Sequence, residues 1–286
     1  MKIGDIVVRK SYGRDITFKI LDINNGIYTI KGINLRIIAD SPLEDLEQLE
    51  SNILFKKQKT YERNITKAVS RIIIGREDTE DGFRSENISS NISTDKELIF
   101  GRPGKILHID GDAEYLEKCL KVYSQLSLDA VGRAIPERQQ PLMVTDLVKQ
   151  IKPDIVVLTG HDSISKNAKD YMDLSNYSNS AYFVKAVSNL RDYKSNYDDL
   201  VIFAGACQSC YEAILDAGAN FASSPNRVLI HCLDPVFICE KIAYTNIDSV
   251  VSIQQALENT ITGTNGIGGL QTRGKYREGF PKSNFL

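Results

Sequence analysis

The chain has 286 residues, of which 42% are hydrophobic and 25% charged, and its formal net charge is -2 at pH 7. This length favours one large and one small domain, and the near-neutral charge provides no strong field for binding nucleic acid or an anionic membrane. No apolar run approaches the roughly 20 residues of a membrane-spanning helix, and the start lacks the apolar core of a signal peptide. We therefore expect a protein that stays in the cytosol of the cell that makes it.

Residues 1–40 contain short β-like runs separated by turn signals at Tyr12–Asp15 and Asn24–Gly26. This pattern predicts a small SH3-like β-barrel domain. Two uses stay open for it. It is either a docking module for a partner protein or a domain that packs on the main body.

Residues 41–103 are predicted to form a helical linker followed by a mobile polar loop. Apolar residues follow a Ser-Pro start at helical spacing, namely Leu43, Leu46, Leu49 and Ile53, and a second helical stretch runs to Ile74. The segment Gly75–Glu97 is rich in charge, Ser and Asn, and has too few apolar residues to offset the entropy of ordering. We expect it to be exposed.

Residues 104–286 alternate between strand-like and helix-like patterns. The predicted strands are Lys105–Ile109, Ala130–Ile135, Asp154–Thr159, Leu200–Ala204 and Arg227–Cys232. The predicted helices are Ala113–Gln125, Leu142–Ile151, Ala181–Tyr193, Tyr211–Ala217 and Val236–Tyr244. Continuous apolar strands alternating with helices indicate an α/β fold with a mostly parallel sheet covered on both faces. In such sheets the reactive groups gather beyond the carboxyl ends of the strands.

Two of these strands end in similar sequences. One delivers His161 after Thr159-Gly160, and the other delivers Cys207 after Gly205-Ala206. If the strands are neighbours, the imidazole and the thiol emerge close together at one edge of the sheet. Cys207 is also predicted to lie where a helix begins, which would lower the pKa of its thiol. A nucleophile, a base and room for a substrate backbone are implied.

An apolar strand ending in His, followed by a second one ending in Cys, is similar to the caspase, legumain and clostripain group of cysteine peptidases. Over nearly its full length, from MKIGDIVVRK through TGHDSISKNAKDYMDL to AGACQSCYEAILDAGANFASSP, the chain resembles the YabG family of sporulation-specific proteases. The resemblance implies a caspase-like sheet and limited proteolysis of spore coat and germination precursor proteins after Arg. It also implies action in the mother-cell compartment during sporulation, with association to the spore coat.

Thiol chemistry supplies a mechanism that needs no metal or cofactor. Cys207 attacks the carbonyl group, His161 protonates the leaving amine, and backbone N–H groups around Gly160, Asp162 and Ala206 stabilise the oxyanion. Asp162 stands where the caspase group usually has Gly. Its side chain either orients His161 or caps the following helix.

A preference for Arg requires a carboxylate pocket, because a guanidinium buried without a partner is costly. In the architecture that the chain resembles, the loop after the first core strand contributes to this pocket. That loop carries Asp110 and Asp112, which we predict as substrate-binding residues, although Asp112 is as well suited to cap the helix at Ala113. Arg76 and Arg84 in the predicted loop are candidate self-cleavage sites.

Two other functions stay open. Cys207-Gln-Ser-Cys210 is a C-x-x-C sequence at a strand-to-helix junction, as in thiol-disulfide oxidoreductases. A non-enzymatic spore coat scaffold, with the barrel as its binding face, is the second alternative.

The signal for a zinc site is weak, because no C-x-x-C pair recurs and no H-x-x-x-H is present. The five cysteines form an odd set that argues against a disulfide framework: Cys119, Cys207, Cys210, Cys232 and Cys239. The sequence leaves the oligomeric state open.

Overall fold

The computed structural model describes residues 1–86 and 100–283. The strands are β1 (Ile6–Arg9), β2 (Thr17–Asn24), β3 (Ile27–Gly32), β4 (Ile38–Pro42), β5 (Leu46–Gln48), β6 (Phe100–Arg102), β7 (Ile106–Asp110), β8 (Ala130–Ala134), β9 (Ile155–Thr159), β10 (Val201–Ala204), β11 (Phe221–Ser223), β12 (Val250–Val251), β13 (Ile267–Gly269), β14 (Thr272–Arg273) and β15 (Arg277–Gly279). The helices are α1 (Ser51–Glu86), α2 (Ala113–Gln125), α3 (Gln140–Ile151), α4 (Ser180–Tyr193), α5 (Tyr211–Asp216), α6 (Asp234–Tyr244) and α7 (Ile253–Leu257).

The amino-terminal strands form a separate antiparallel sheet in the order β4-β3-β2-β1-β5. Its small core includes Val7, Phe18 and Ile30. Leu46 belongs to this core as part of β5, so the helix predicted around it is wrong. The helical spacing of the leucines arises there from a short turn followed by a strand. An antiparallel sheet at the amino terminus is thus confirmed, whereas an SH3-like barrel stays a prediction.

Helix α1 is long and continues through residues 75–86, where the sequence predicts a loop. Val69 and Ile72 pack on the α/β body, and the Arg76 side chain reaches Glu240 at 3.3 Å and the Leu126 carbonyl at 3.1 Å. These contacts pack α1 on the α/β body, which its polar sequence alone does not predict. Residues 87–97 of the predicted loop lie outside the described residues. Neither α1 nor any other helix in the described ranges is long and apolar enough to cross a membrane.

The central sheet has the strand order β13-β11-β10-β9-β7-β8. Its strands are parallel except for β13, which pairs antiparallel with β11 at the edge. Successive residues of each central strand enter opposite cores: Val157 packs against α2 and α6, and Val156 packs against α3 and α4. This two-sided burial explains the continuous apolar runs and confirms the predicted mixed α/β fold.

The strand predicted at Arg227–Cys232 is wrong, because the fifth parallel strand is the shorter β11. The predicted segment instead pairs with the loop between β3 and β4. Leu35 and His231 form an isolated bridge, and the N–H of Arg36 donates to the Ile230 carbonyl at 3.3 Å. Ile230 and Cys232 of this segment are buried where it meets that loop.

The loop between β3 and β4 is anchored by a buried ion pair. Arg36 has no exposed surface, and its guanidinium lies 2.7 Å from Asp110, which is equally buried at the end of β7. Tyr115 of α2 donates a hydrogen bond to the Leu35 carbonyl at 2.7 Å. The amino-terminal sheet therefore packs on the main body next to the carboxyl ends of the central strands. These contacts do not test the predicted domain boundaries or a docking role.

Candidate active site

The two predicted catalytic residues leave adjacent strands. Leu158 of β9 is paired with Ala204 of β10 in a parallel register. His161 and Cys207 each lie three residues beyond that pair. The structure thus brings them to the same edge of the sheet, at neighbouring strand ends.

The backbone and ring of His161 are both held by carboxylates. Its N–H donates to Glu137 at 2.7 Å, and its Nε2 lies 2.8 Å from an Asp112 oxygen. The ring of Tyr115 lies beside it, with 5.6 Å between the ring centroids. Nδ1 is buried and has no hydrogen-bond partner in the part of the chain that the structure describes. One ring nitrogen is therefore fixed by a carboxylate, and the other makes no hydrogen bond to the described residues.

Cys207 lies in a different environment from the one that its sequence position predicts. Helix α5 begins at Tyr211, so Cys207 precedes the helix and gains nothing from its amino terminus. Its side chain is only 1% exposed, and burial raises the pKa of the thiol to about 12. The sulfur accepts a hydrogen bond from the Ile230 N–H at 3.2 Å. The thiol is therefore protonated and covered in this conformation.

The turn that carries Cys207 is built from small residues. Gly205 has a φ of 110°, and a Cβ at this position would come within 2.8 Å of the Ser223 hydroxyl. The N–H of Ala206 donates to the Ser209 hydroxyl at 2.9 Å. Because this N–H already has an acceptor, Ala206 cannot serve an oxyanion unless the Ser209 side chain moves.

Asp162 joins the turns after β9 and β10. Its carboxylate accepts hydrogen bonds from the hydroxyl groups of Ser180 and Ser209 and from the N–H of Asn179, at the start of α4. The structure supports neither of the two roles that the sequence leaves open: the N-cap of α4 is Asn179, and the ring of His161 is bound by Asp112. Asp162 instead joins the turn after β9 to the start of α4 and to the turn after β10. Burial raises the pKa of Asp162 despite these donors.

The N–H groups of Asp162 and Cys207 differ from that of Ala206. Neither donates to a protein acceptor within residues 1–86 and 100–283. Gly160, the third predicted residue, lies against the Glu137 side chain, and a Cβ there would meet a carboxylate oxygen at 2.1 Å. Gly160 therefore allows Glu137 to reach the His161 backbone.

The two predicted substrate-binding carboxylates already hold cations. Asp110 is fully buried against Arg36; burial opposes its ionisation, but the neighbouring guanidinium outweighs this and keeps its pKa below the usual value. Asp112 caps α2 and lies 3.0 Å from the Lys31 ammonium. Their role in substrate binding stays a prediction.

The sequence analysis missed Lys31, Arg36 and Glu137. Glu137 follows β8 at the carboxyl edge of the sheet, so the strand-end rule that found His161 could have found it. Lys31 and Arg36 lie on the amino-terminal sheet and its loop, far in sequence from His161 and Cys207. No local pattern indicates that they reach this edge.

The remaining cysteines and histidines are engaged elsewhere. All five cysteines are free thiols, and Cys210 caps α5 with its N–H bound to the Ser180 hydroxyl. His108 is buried between Tyr123 and Thr159. Among the described residues no group of three or more His, Cys, Asp or Glu is arranged to hold a metal ion.

Comparison with known proteins decides the family. The family model described as YabG peptidase U57 matches residues 2–281. The chain belongs to the YabG peptidase family. It is 39% identical, over 99% of both chains, to the sporulation-specific protease YabG of Bacillus subtilis (strain 168). The resemblance found in the sequence is thus confirmed. The chain is a peptidase, and a cysteine peptidase is consistent with the YabG family, which leaves no need for an oxidoreductase or a scaffold.

Proposed function

We propose that this member of the YabG family is a cysteine endopeptidase with Cys207 as nucleophile and His161 as general acid and base. One observation carries the proposal: both side chains follow adjacent parallel strands at equivalent positions. A thiol and an imidazole at neighbouring strand ends can act on the same peptide bond.

The reaction proceeds through a thioester. The Cys207 thiol gives its proton to His161 while the sulfur attacks the carbonyl carbon of the scissile bond. The imidazolium passes this proton to the leaving amine, and the C–N bond breaks. Water then attacks the thioester, giving one proton to His161, which returns it to the sulfur as the carboxylic product leaves.

The oxyanion of each tetrahedral intermediate is bound by backbone N–H groups. Those of Asp162 and Cys207 suit this role best, because they flank the two catalytic side chains and donate to no acceptor in the described ranges. The predicted contribution of Ala206 requires its N–H to be released by Ser209. Gly160 contributes by admitting Glu137 rather than through a contact with the substrate.

The proposed substrates are spore coat and germination precursor proteins cleaved after Arg, in keeping with the name of the Bacillus subtilis relative as a sporulation-specific protease. Because Asp110 and Asp112 already pair with Arg36 and Lys31, a substrate guanidinium would have to share these carboxylates. If Arg-peptide and Lys-peptide substrates are cleaved at equal rates, the Arg preference is wrong.

Self-cleavage at Arg76 or Arg84 also remains a proposal. Both residues lie in α1, and Arg76 contacts Glu240, so cleavage there requires the helix to unwind locally. Mass spectrometry of wild type and Cys207→Ala decides the matter. New termini after Arg76 or Arg84 in the wild type alone support self-cleavage, and identical intact masses contradict it.

We place the enzyme in the mother-cell compartment during sporulation, with association to the spore coat. Immunogold labelling of sporulating cells tests this location. Labelling confined to the forespore interior would contradict it.

The test of the peptidase proposal compares four proteins on an Arg-containing protein substrate: wild type, Cys207→Ala, His161→Ala and Cys210→Ala. We expect loss of cleavage in the first two variants and retention in Cys210→Ala, the matched control, since Cys210 is an equally buried thiol nearby. Circular dichroism shows whether each variant is folded. Activity that survives Cys207→Ala overturns the proposal, and loss in Cys210→Ala would indicate that both sulfurs are needed.

A further inference from the structure

Lys31 of the amino-terminal sheet is an unusually buried ammonium group. It is 6% exposed, although lysine is rarely buried without a specific partner. Its Nζ lies 3.0 Å from Asp112 and 2.6 Å from Glu114, at the start of α2. Burial opposes its charge, but hydrogen bonds from Lys31 to both carboxylates outweigh this and raise its pKa. The Lys31 ammonium group therefore provides a fixed positive charge next to Asp112.

Asp112 connects this charge to the base. One of its oxygens lies 2.8 Å from Nε2 of His161. Burial pushes the pKa of Asp112 upward, but the hydrogen bonds from His161 and Lys31 keep it below its usual value. An ionised carboxylate can only accept a hydrogen bond, so Nε2 carries the proton of the neutral ring. Nδ1 then has a free lone pair, and it is the nitrogen that is buried without a protein partner in the described residues.

We propose that Lys31 and Asp112 form a positioning pair that holds His161 in the Nε2–H tautomer, so that Nδ1 exchanges protons with Cys207 and the leaving amine. This inference rests on the proposed peptidase function. It gives the amino-terminal sheet a part in catalysis, because the sheet supplies the charge that keeps Asp112 ionised and in place. Neither residue touches the reacting atoms; both act through the imidazole.

The alternative role for Lys31 is to attach the sheet to α2 and nothing more, and a neighbouring pair allows the two roles to be separated. Lys19, on the next strand, binds Glu114 at 2.8 Å, with the two side chains 39% and 52% exposed. Lys19 attaches the same sheet to the same helix without reaching Asp112. Lys19→Met is therefore a matched control for Lys31→Met.

The kinetic test uses the full chain and an Arg-containing peptide, with wild type, Lys31→Met, Lys31→Arg, Asp112→Asn and Lys19→Met. We expect kcat to fall about 10–100-fold in Lys31→Met, with little change in KM, and about 10²–10⁴-fold in Asp112→Asn. KM is compared in the Lys31 variants alone, because Asp112 is also a proposed substrate-binding residue. Lys31→Arg restores the charge and most of kcat. Lys19→Met leaves both constants unchanged.

The pH profile of kcat/KM is the measurement that a merely structural role would not move. Other titratable groups near His161 are Tyr115, whose ring centroid lies 5.6 Å from that of the imidazole, Glu137, which accepts from the backbone N–H, and Asp162, the next residue. Removal of the Lys31 charge favours the protonated ring, so the limb set by the imidazole moves to higher pH. Removal of the Asp112 charge moves it to lower pH. Thermal unfolding of each variant shows the folded fraction.

Nuclear magnetic resonance provides a test that does not depend on turnover. The chain has three histidines, so the imidazole nitrogens of His161 can be assigned in the inactive Cys207→Ala protein. We expect the Nε2–H tautomer there, and a mixture of tautomers when Asp112→Asn is added. If Lys31→Met does not fold, this measurement and the Asp112→Asn kinetics decide the question.

The outcomes distinguish this inference from the peptidase proposal. Activity that persists in Cys207→Ala means that the peptidase proposal fails. If Cys207→Ala and His161→Ala are inactive, while Lys31→Met and Asp112→Asn keep the wild-type kcat and pH profile, only the positioning pair is wrong. A loss of kcat that matches the loss of folded protein, with an unchanged profile and tautomer, also overturns it.

Discussion

The two strand ends that form the proposed active site differ in how they hold the proposed catalytic group. His161, after β9, is fixed by Asp112 and Glu137, and its side chain keeps 17% of its surface exposed. Cys207, after β10, is 1% exposed beneath Ile230. The proposed base is thus oriented by charges, whereas the proposed nucleophile is protonated and covered. Access of a substrate to Cys207 requires the Ile230 segment to move, whereas the imidazole is already partly exposed, although its Nδ1 is buried.

The cover over Cys207 is attached to the amino-terminal sheet. The N–H of Arg36 donates to the Ile230 carbonyl, and its guanidinium donates to the Cys232 carbonyl at 3.4 Å. The same loop is anchored by the ion pair between Arg36 and Asp110. The sheet therefore contacts both strand ends, the His161 end through Lys31 and Asp112, and the Cys207 end through Arg36.

The largest effect is expected from Arg36→Met. It leaves the Asp110 carboxylate buried without a cation, which costs about 3–5 kcal/mol of the free energy of unfolding. Arg14→Met is the control, because the Arg14–Glu47 pair on the same sheet is half-exposed and contributes at most about 1 kcal/mol. Urea unfolding measures both. Equal small losses in the two variants would contradict a special role for Arg36, and recovery in Arg36→Met combined with Asp110→Asn would support it.

The next effect concerns alkylation of Cys207. A thiol with a pKa of about 12 is far less ionised near neutral pH than an ordinary one, and the higher nucleophilicity of its thiolate compensates only in part. We expect iodoacetamide to modify Cys207 about 10²-fold more slowly than a free thiol. Peptide mass spectrometry distinguishes it from the other cysteines. Ile230→Ala removes part of the cover and speeds the reaction. Modification of the wild type as fast as a model thiol would mean that the covered conformation does not dominate in solution.

The strand ends themselves were predictable from sequence. Continuous apolar runs indicate parallel strands buried on both faces, and such strands place their following residues at one edge, which located His161 and Cys207. The bounds of α2 were also predictable, because Asp112 is a good capping residue and an amphipathic helix follows it. Here local pattern and tertiary structure agree.

The environment of Cys207 was not predictable in the same way. The thiol was expected to gain from a helix amino terminus, yet its pKa depends on a cover formed by residues 230–232 and by a loop from the other end of the chain. Arg36 and Cys232 are 196 residues apart, and no local periodicity specifies such a pairing. The error at Leu46 has a similar origin, since pairing with β1 overrides helical spacing.

The smallest effect that we predict is a pH dependence of stability that arises in the cover over Cys207. His231 lies next to Ile230 in the cover, and burial, together with the nearby charges of Lys118 and Arg36, lowers its pKa to about 3. The unfolded chain binds a proton on this ring below about pH 6.5, but the folded protein does not, so its contribution to stability is complete above that pH and is lost as the pH falls towards 3. Between pH 7 and 5 the loss is on the order of 2 kcal/mol. His231→Asn keeps an acceptor for the Leu233 N–H but cannot titrate, so it should flatten this part of the stability profile measured by urea unfolding.

The segment that contains His231 covers the thiol and not the imidazole of His161. Acidification should therefore also speed the modification of Cys207, after correction for its ionised fraction, in the wild type more than in His231→Asn. An equal response in both proteins would mean that protonation of His231 does not control the cover over Cys207.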